Sequence, residues 1–93
     1  MPNILIVDDE LHIRLLLEQT LEEIEEKGVR LITAGNGEDA LEIIKKESPQ
    51  LVFLDVMMPK MNGFDLCRVV KNDLKMENVY IVMLPSLSVG TPK

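Results

Sequence analysis

Ile4-Leu5-Ile6-Val7-Asp8-Asp9-Glu10 decides the fold. Four apolar residues run without a polar interruption and stop abruptly on three acids. A short continuous apolar run rich in β-branched residues suits a strand buried on both faces, as in a parallel sheet. The pattern recurs at Leu51-Val52-Phe53-Leu54, which again ends on an acid, Asp55. Parallel strands bring their carboxyl ends to one edge of the sheet, the edge where open α/β folds bind ligands. Asp8, Asp9 and Asp55 are therefore expected to converge there.

Working outward, Glu10 to Glu26 places Ile13, Leu16, Leu17, Leu21 and Ile24 at three- and four-residue spacings. This predicts one helix of about four turns, with Asp9 as its N-cap and Gly28 as its stop. Its acids Glu18, Glu22, Glu23, Glu25 and Glu26 read as a solvated outer face. Val29 to Ala34 reads as an edge strand, and Gly35-Asn36-Gly37 as the turn into a helix striped by Ala40, Leu41, Ile43 and Ile44, ending before Ser48-Pro49. After Asp55 comes a loop through Pro59 and Gly63. A third helix follows from about Phe64 to Asp73, burying Phe64, Leu66, Cys67 and Val70, and Tyr80 to Leu84 is the fourth strand. Strands alternating with helices imply right-handed crossovers and an α/β parallel sheet with helices on its faces. Residues 1–84 form the expected domain. Residues 85–93 hold two prolines and a glycine and are expected to be an irregular tail.

The chain has 93 residues, room for one domain at most. Its net charge of −6 opposes contact with nucleic-acid phosphates or anionic lipid, so neither nucleic acid nor membrane is an expected partner. The acidity is lopsided, since twelve of the sixteen acids precede Ser48. Cys67 is the only cysteine, which excludes an intrachain disulfide, and the longest uncharged apolar stretch, Val79 to Leu84, is far below the ~20 residues needed to cross a bilayer. With no secretion signal visible, the expected location is cytoplasmic.

An aspartate after a strand can simply cap a helix or form a turn. Three at converging strand ends are harder to explain that way, because neighbouring carboxylates repel unless a cation lies between them. Hard oxygen ligands in a small site favour Mg2+. Other features carry less. Gly35-Asn36-Gly37 lacks the third glycine of a dinucleotide loop and follows the second strand, so it reads as a turn. His12 has no histidine partner and reads as a surface or capping residue. Cys67 reads as core, and Met57, Met58 and Met61 as loop packing or a contact surface beside the acids.

Ile4 to Glu10, Ala34-Gly35-Asn36-Gly37-Glu38-Asp39-Ala40-Leu41, and Leu54-Asp55-Val56-Met57-Met58-Pro59-Lys60-Met61-Asn62-Gly63 stand in an order and spacing that resemble the receiver domain of two-component response regulators. The resemblance covers residues 2 to about 84. It implies a flavodoxin-like doubly wound sheet of order 2-1-3-4, here lacking the fifth strand and last helices. It also implies that Asp55 is the phosphoacceptor for a sensor histidine kinase or phosphotransfer protein. Asp9 and Asp55 would ligate Mg2+ directly, Asp8 through water, and Met57 through its backbone carbonyl. On this reading the chain is a phosphorylation target and protein-binding switch, not an enzyme. Two family elements do not match. The position of the family's Thr or Ser is Pro85, with Ser86 one residue late, and the lysine after a fifth strand has no counterpart, since Lys93 follows no strand. Phosphorylation is therefore expected to be impaired.

Two alternatives stay beside this reading. One is an interaction-only receiver fragment without competent phosphoryl chemistry. The other is a metal-dependent aspartyl phosphohydrolase, which would normally want an acid two residues after its nucleophile, where this chain has Met57. The apolar strand Val79 to Leu84, with its outer edge open, and the sheet face that a last helix would have covered further predict a homodimer, or a domain swap through residues 74–93.

Overall fold

The computed structural model describes residues 2–58 and 61–84. Four parallel strands, β1 (Asn3–Val7), β2 (Arg30–Ala34), β3 (Leu51–Asp55) and β4 (Tyr80–Leu84), form one sheet in the order β2-β1-β3-β4. This is the expected flavodoxin-like order, and no fifth strand is present among the described residues. Strand β1 is central and buried throughout, which is why its sequence is apolar on both faces.

Successive residues of each strand point to opposite faces. One face carries Leu5, Val7, Val52 and Leu54, all fully buried, and packs with Ala40 and Ile44 of α3 (Gly37–Glu47) and with Leu66 of α4 (Gly63–Arg68). Asn36 starts α3 by accepting the Asp39 N–H on its Oδ1 at 2.8 Å, confirming Gly35-Asn36-Gly37 as a turn into a helix. The opposite face belongs to α1 (Leu11–Thr20), which buries Ile13.

The helices depart from expectation at three points. The helix expected over Glu10–Glu26 is interrupted at Leu21, giving α1 and a separate short α2 (Glu22–Glu26). Thr20 Oγ1 donates to Leu16 O at 2.9 Å just before the break, a local bond that bends helices, and α2 crowds four glutamates into five residues. Gly28 ends this segment at φ +96°, as a stop there requires. Asp9 does not cap α1: Glu10 occupies the cap position without a side-chain bond. The third difference is in the last helix, where α4 passes into a π-helical turn at Val69–Asp73, and Phe64 is 59% exposed instead of buried. Phe64 is two residues before Leu66, about 200° around the helix from the buried Leu66–Val70 stripe.

Below the π turn, the chain returns to β4 through residues 74–79. Lys71 Nζ, half-buried, donates to the backbone carbonyls of Val79 and Met76. On the α1 face, Leu16, Tyr80 and Val82 are exposed, and Leu17 and Phe53 are only partly covered. The expected irregular tail at 85–93, and with it Pro85, Ser86 and Lys93, lies outside the described residues, as do Pro59 and Lys60.

Candidate functional site

Strand β1 ends at Val7, whose partner across the sheet is Leu54 of β3. The next residues, Asp8 and Asp55, are thereby set side by side. Asp8 is 2% and Asp55 4% exposed, whereas Asp9 is open to solvent. One carboxylate oxygen from each of the three lies within 4.8 Å of the other two. Backbone amides orient the buried pair: the Glu10 N–H donates to Asp8 Oδ1 at 2.9 Å, and the Met57 N–H donates to Asp55 Oδ1 at 3.0 Å.

The loop after Asp55 is folded back onto that residue. Gly63 donates its N–H to Val56 O at 3.1 Å, and a Cβ at Gly63 would meet the Asp55 carbonyl oxygen at 2.7 Å. Only glycine permits this approach, so it fixes the backbone of Asp55 from outside the sheet. On the other side, the Val56 N–H donates to Leu84 O at 3.2 Å, tying the end of β3 to the end of β4.

Burial pushes the proton affinity of Asp8 up, and the charges of Asp55, Asp9 and Glu10 add to it against the opposing Glu10 amide bond. Burial likewise raises Asp55, assisted by Asp9 and Glu10 and opposed by the Met57 amide. No ion pair among the described residues involves any of the three aspartates. Two buried carboxylates and one exposed one, all hard oxygen donors with no ion pair among the described residues, fit a small divalent cation such as Mg2+.

The structure thus brings together Asp8, Asp9 and Asp55. Met57 contributes its amide to Asp55 while its side chain is 66% exposed. His12 stands on the surface with Nε2 3.1 Å from Glu10 Oε2. Cys67, expected in the core, is half-buried. Sequence reasoning missed three contributors. Glu10 supplies an amide and a fourth nearby charge; Gly63 was read only as a turn former; and Arg14 Nη1 donates to the Asp8 backbone carbonyl at 2.5 Å. A hint of the last was available, since Arg14 lies one helical turn beyond Glu10, facing the strand end.

The response regulator receiver domain model matches residues 4–88. The chain belongs to this family, with an acidic cluster positioned to hold a divalent metal. It is 50% identical over 84 residues to a probable transcriptional regulator, ycf27, of Porphyra purpurea, covering 90% of this chain and 32% of that protein. The chain therefore spans about a third of such curated relatives. Among solved structures, the N-terminal domain of a response regulator receiver protein from Methanoculleus marisnigri superposes with a TM-score of 0.78 at 36% identity, covering 97% of this chain and 70% of that one. The response regulator TrrA from Thermotoga maritima, in complex with Mg2+ and BeF, gives 0.77 at 38% identity, covering 95% and 72%. Among the described residues no helix is long and apolar enough to cross a membrane.

These findings correct the expectation that the chain is not an enzyme. Family membership and the assembled acid cluster are those of catalytically active receiver domains, which dephosphorylate themselves. The physical reason is that in such domains a metal held by the acids can stabilise both transfer and hydrolysis of a phosphoryl group, so target and catalyst share one site.

Proposed function

We propose that this chain is the receiver of a two-component phosphorelay and that Asp55 is its phosphoacceptor. The supporting observation is the convergence of three carboxylates at the sheet edge, with Asp55 buried and held by one oxygen only. The Met57 N–H fixes Asp55 Oδ1 and leaves Oδ2 without a partner among the described residues. An electron pair on Oδ2 forms the new O–P bond as the P–N bond of a partner's phosphohistidine breaks, and the imidazole leaves with that bonding pair. The donor is a sensor histidine kinase or phosphotransfer protein, and the setting is the cytoplasm. Asp9 and Asp55 are the direct Mg2+ ligands, Asp8 acts through water, and the Met57 carbonyl completes the protein's share. Mg2+ supplies neutralisation of the phosphoryl oxygens when bound. The burial of Asp8 and Asp55 keeps bulk water from screening that charge.

The test is incubation with a small acyl phosphate and Mg2+, followed by mass spectrometry of the intact chain. One phosphoryl group should appear on Asp55, slowly because Pro85 brings no hydroxyl, and Asp55→Asn should abolish it. A chain that binds Mg2+ yet takes no label at any donor concentration would overturn the assignment. Among the described residues no strand pairs with the outer edge of β4, which supports self-association of this chain through residues 74–93, of which 85–93 lie outside the described residues. Light scattering at several concentrations should then show a dimer; a monomer throughout would exclude it.

A further inference from the structure

Asp9 is the one acid of the three that nothing local holds. Asp8 and Asp55 each accept a backbone amide, whereas the exposed Asp9 side chain accepts no hydrogen bond from a described residue. Its direction follows from the peptide that joins it to Asp8. The N–H of Asp8 is committed to Ala34 O at 3.1 Å, and its carbonyl receives Nη1 of Arg14, reaching back from α1, at 2.5 Å.

Arg14 is half-buried and lines a cleft with Asp39 and Glu42, yet it forms no ion pair among the described residues and binds backbone instead. Its guanidinium lies against Gly35, where a Cβ would come 3.1 Å from Nη1. The same side chain walls a cleft of about 360 Å3 with Thr33, Asp39 and Glu42. A Cβ at position 35 would require the guanidinium to give by a few tenths of an ångström.

We infer that Arg14 is a positioning residue of the metal site, clamping the Asp8 carbonyl so that the Asp8–Asp9 peptide plane, and with it the Asp9 carboxylate, is aimed at the cation. This rests on the reading of the acids as metal ligands given above. Binding the carbonyl keeps the guanidinium off the Asp8 and Asp9 carboxylates, which a direct pairing with either would not. Residues that orient metal ligands from behind typically change affinity by about 10–100-fold when removed.

The experiment compares the parent, Arg14→Met, Arg14→Lys and Gly35→Ala, with Lys71→Met as a destabilised control remote from the acids. Each is titrated with Mg2+ by calorimetry, and the amide signals of Asp9 and Glu10 are followed by NMR in EDTA. Arg14→Met should weaken Mg2+ about tenfold, Arg14→Lys less, and Gly35→Ala should also weaken it although the arginine is retained. In EDTA the Asp9 and Glu10 signals should shift in Arg14→Met while those of Val52 and Leu54 stay. If Arg14→Met fails to fold, Arg14→Lys and Gly35→Ala carry the same comparison. Unchanged affinity in these variants, or an equal loss in Lys71→Met, would overturn the inference. Should the parent bind no Mg2+, the metal reading itself fails, and Asp9 and Glu10 signals unmoved by Arg14→Met would then refute the clamp on its own.

Discussion

The two faces of the sheet are covered unequally. Toward α3 and α4, Leu5, Val7, Val52 and Leu54 are fully buried and interlock with Ala40, Ile44 and Leu66. Toward α1, Ile4 and Ile6 are buried, but Tyr80 is 74% and Leu16 55% exposed. Similar apolar composition on the two faces therefore makes unequal contributions: one face supplies the cohesion that holds the strands in register, while the other supports only its central strand. The acid cluster sits at the edge common to both, so its geometry depends on the well-packed face through β3 and on the open face through α1.

The largest effect should come from Leu54→Ala, which removes a fully buried side chain beside Asp55 and should lose about 3 kcal/mol in urea unfolding. Leu16→Ala on the open face should change stability by only about 0.5 kcal/mol. Equal losses for the two would break the comparison. Next, Gly63→Ala forces a Cβ against the Asp55 carbonyl oxygen and should lose about 2 kcal/mol, with weaker Mg2+ binding than Leu54→Ala at matched stability. Were Gly63→Ala to bind Mg2+ like the parent, the close approach would not be holding Asp55.

Lys71→Met should lose about 1 kcal/mol by removing the side-chain donor to the Val79 and Met76 carbonyls, the latter keeping the Val79 N–H, with little change in Mg2+ affinity. The smallest effect is electrostatic. Asp8 and Asp55 hold protons more tightly folded than unfolded, so between the ordinary value of 3.8 and the raised folded values the native state binds more protons. Stability from these groups is full below 3.8 and is lost as pH rises through the folded values. Thermal unfolding in EDTA should show Asp55→Asn raising the midpoint at neutral pH by about 1–3 °C, with the difference shrinking in acid. A difference that grows in acid would reverse the sign assigned to that burial.

The parallel sheet and its order were legible because Ile4–Val7 and Leu51–Leu54 are continuous apolar runs that each end on acid, a pattern dictated by burial on both faces. Strand ends also located the three aspartates, since register carries the positions at one sheet edge. What hid from the sequence were effects of three-dimensional contact. The spacing of Leu16 and Ile24 says only that they share a helix side with Ile13, not that anything covers them. Thr20's bond to Leu16 O stands at the interruption of a helix whose apolar period continues through it. Asp9 looked like a cap because caps and metal ligands draw on the same residue types, and only the chain's path into α1 separates them. The clamp from Arg14 to a backbone carbonyl leaves no trace in residue identity at the accepting end.

The central position of β1 has a consequence for biosynthesis. It precedes both of its neighbours in the chain, and its partners are Arg30 to Ala34 on one side and Leu51 to Leu54 on the other. During translation β1 must wait for both, and Asp8 and Asp9 meet Asp55 only after β3 has left the ribosome. Pairings between residues so distant in sequence form slowly relative to local helices. On the metal reading proposed above, acquisition of Mg2+ would be a clock for folding: the three acids come together only once β1 and β3 have closed, and the delay before capture in a refolding experiment would time that event.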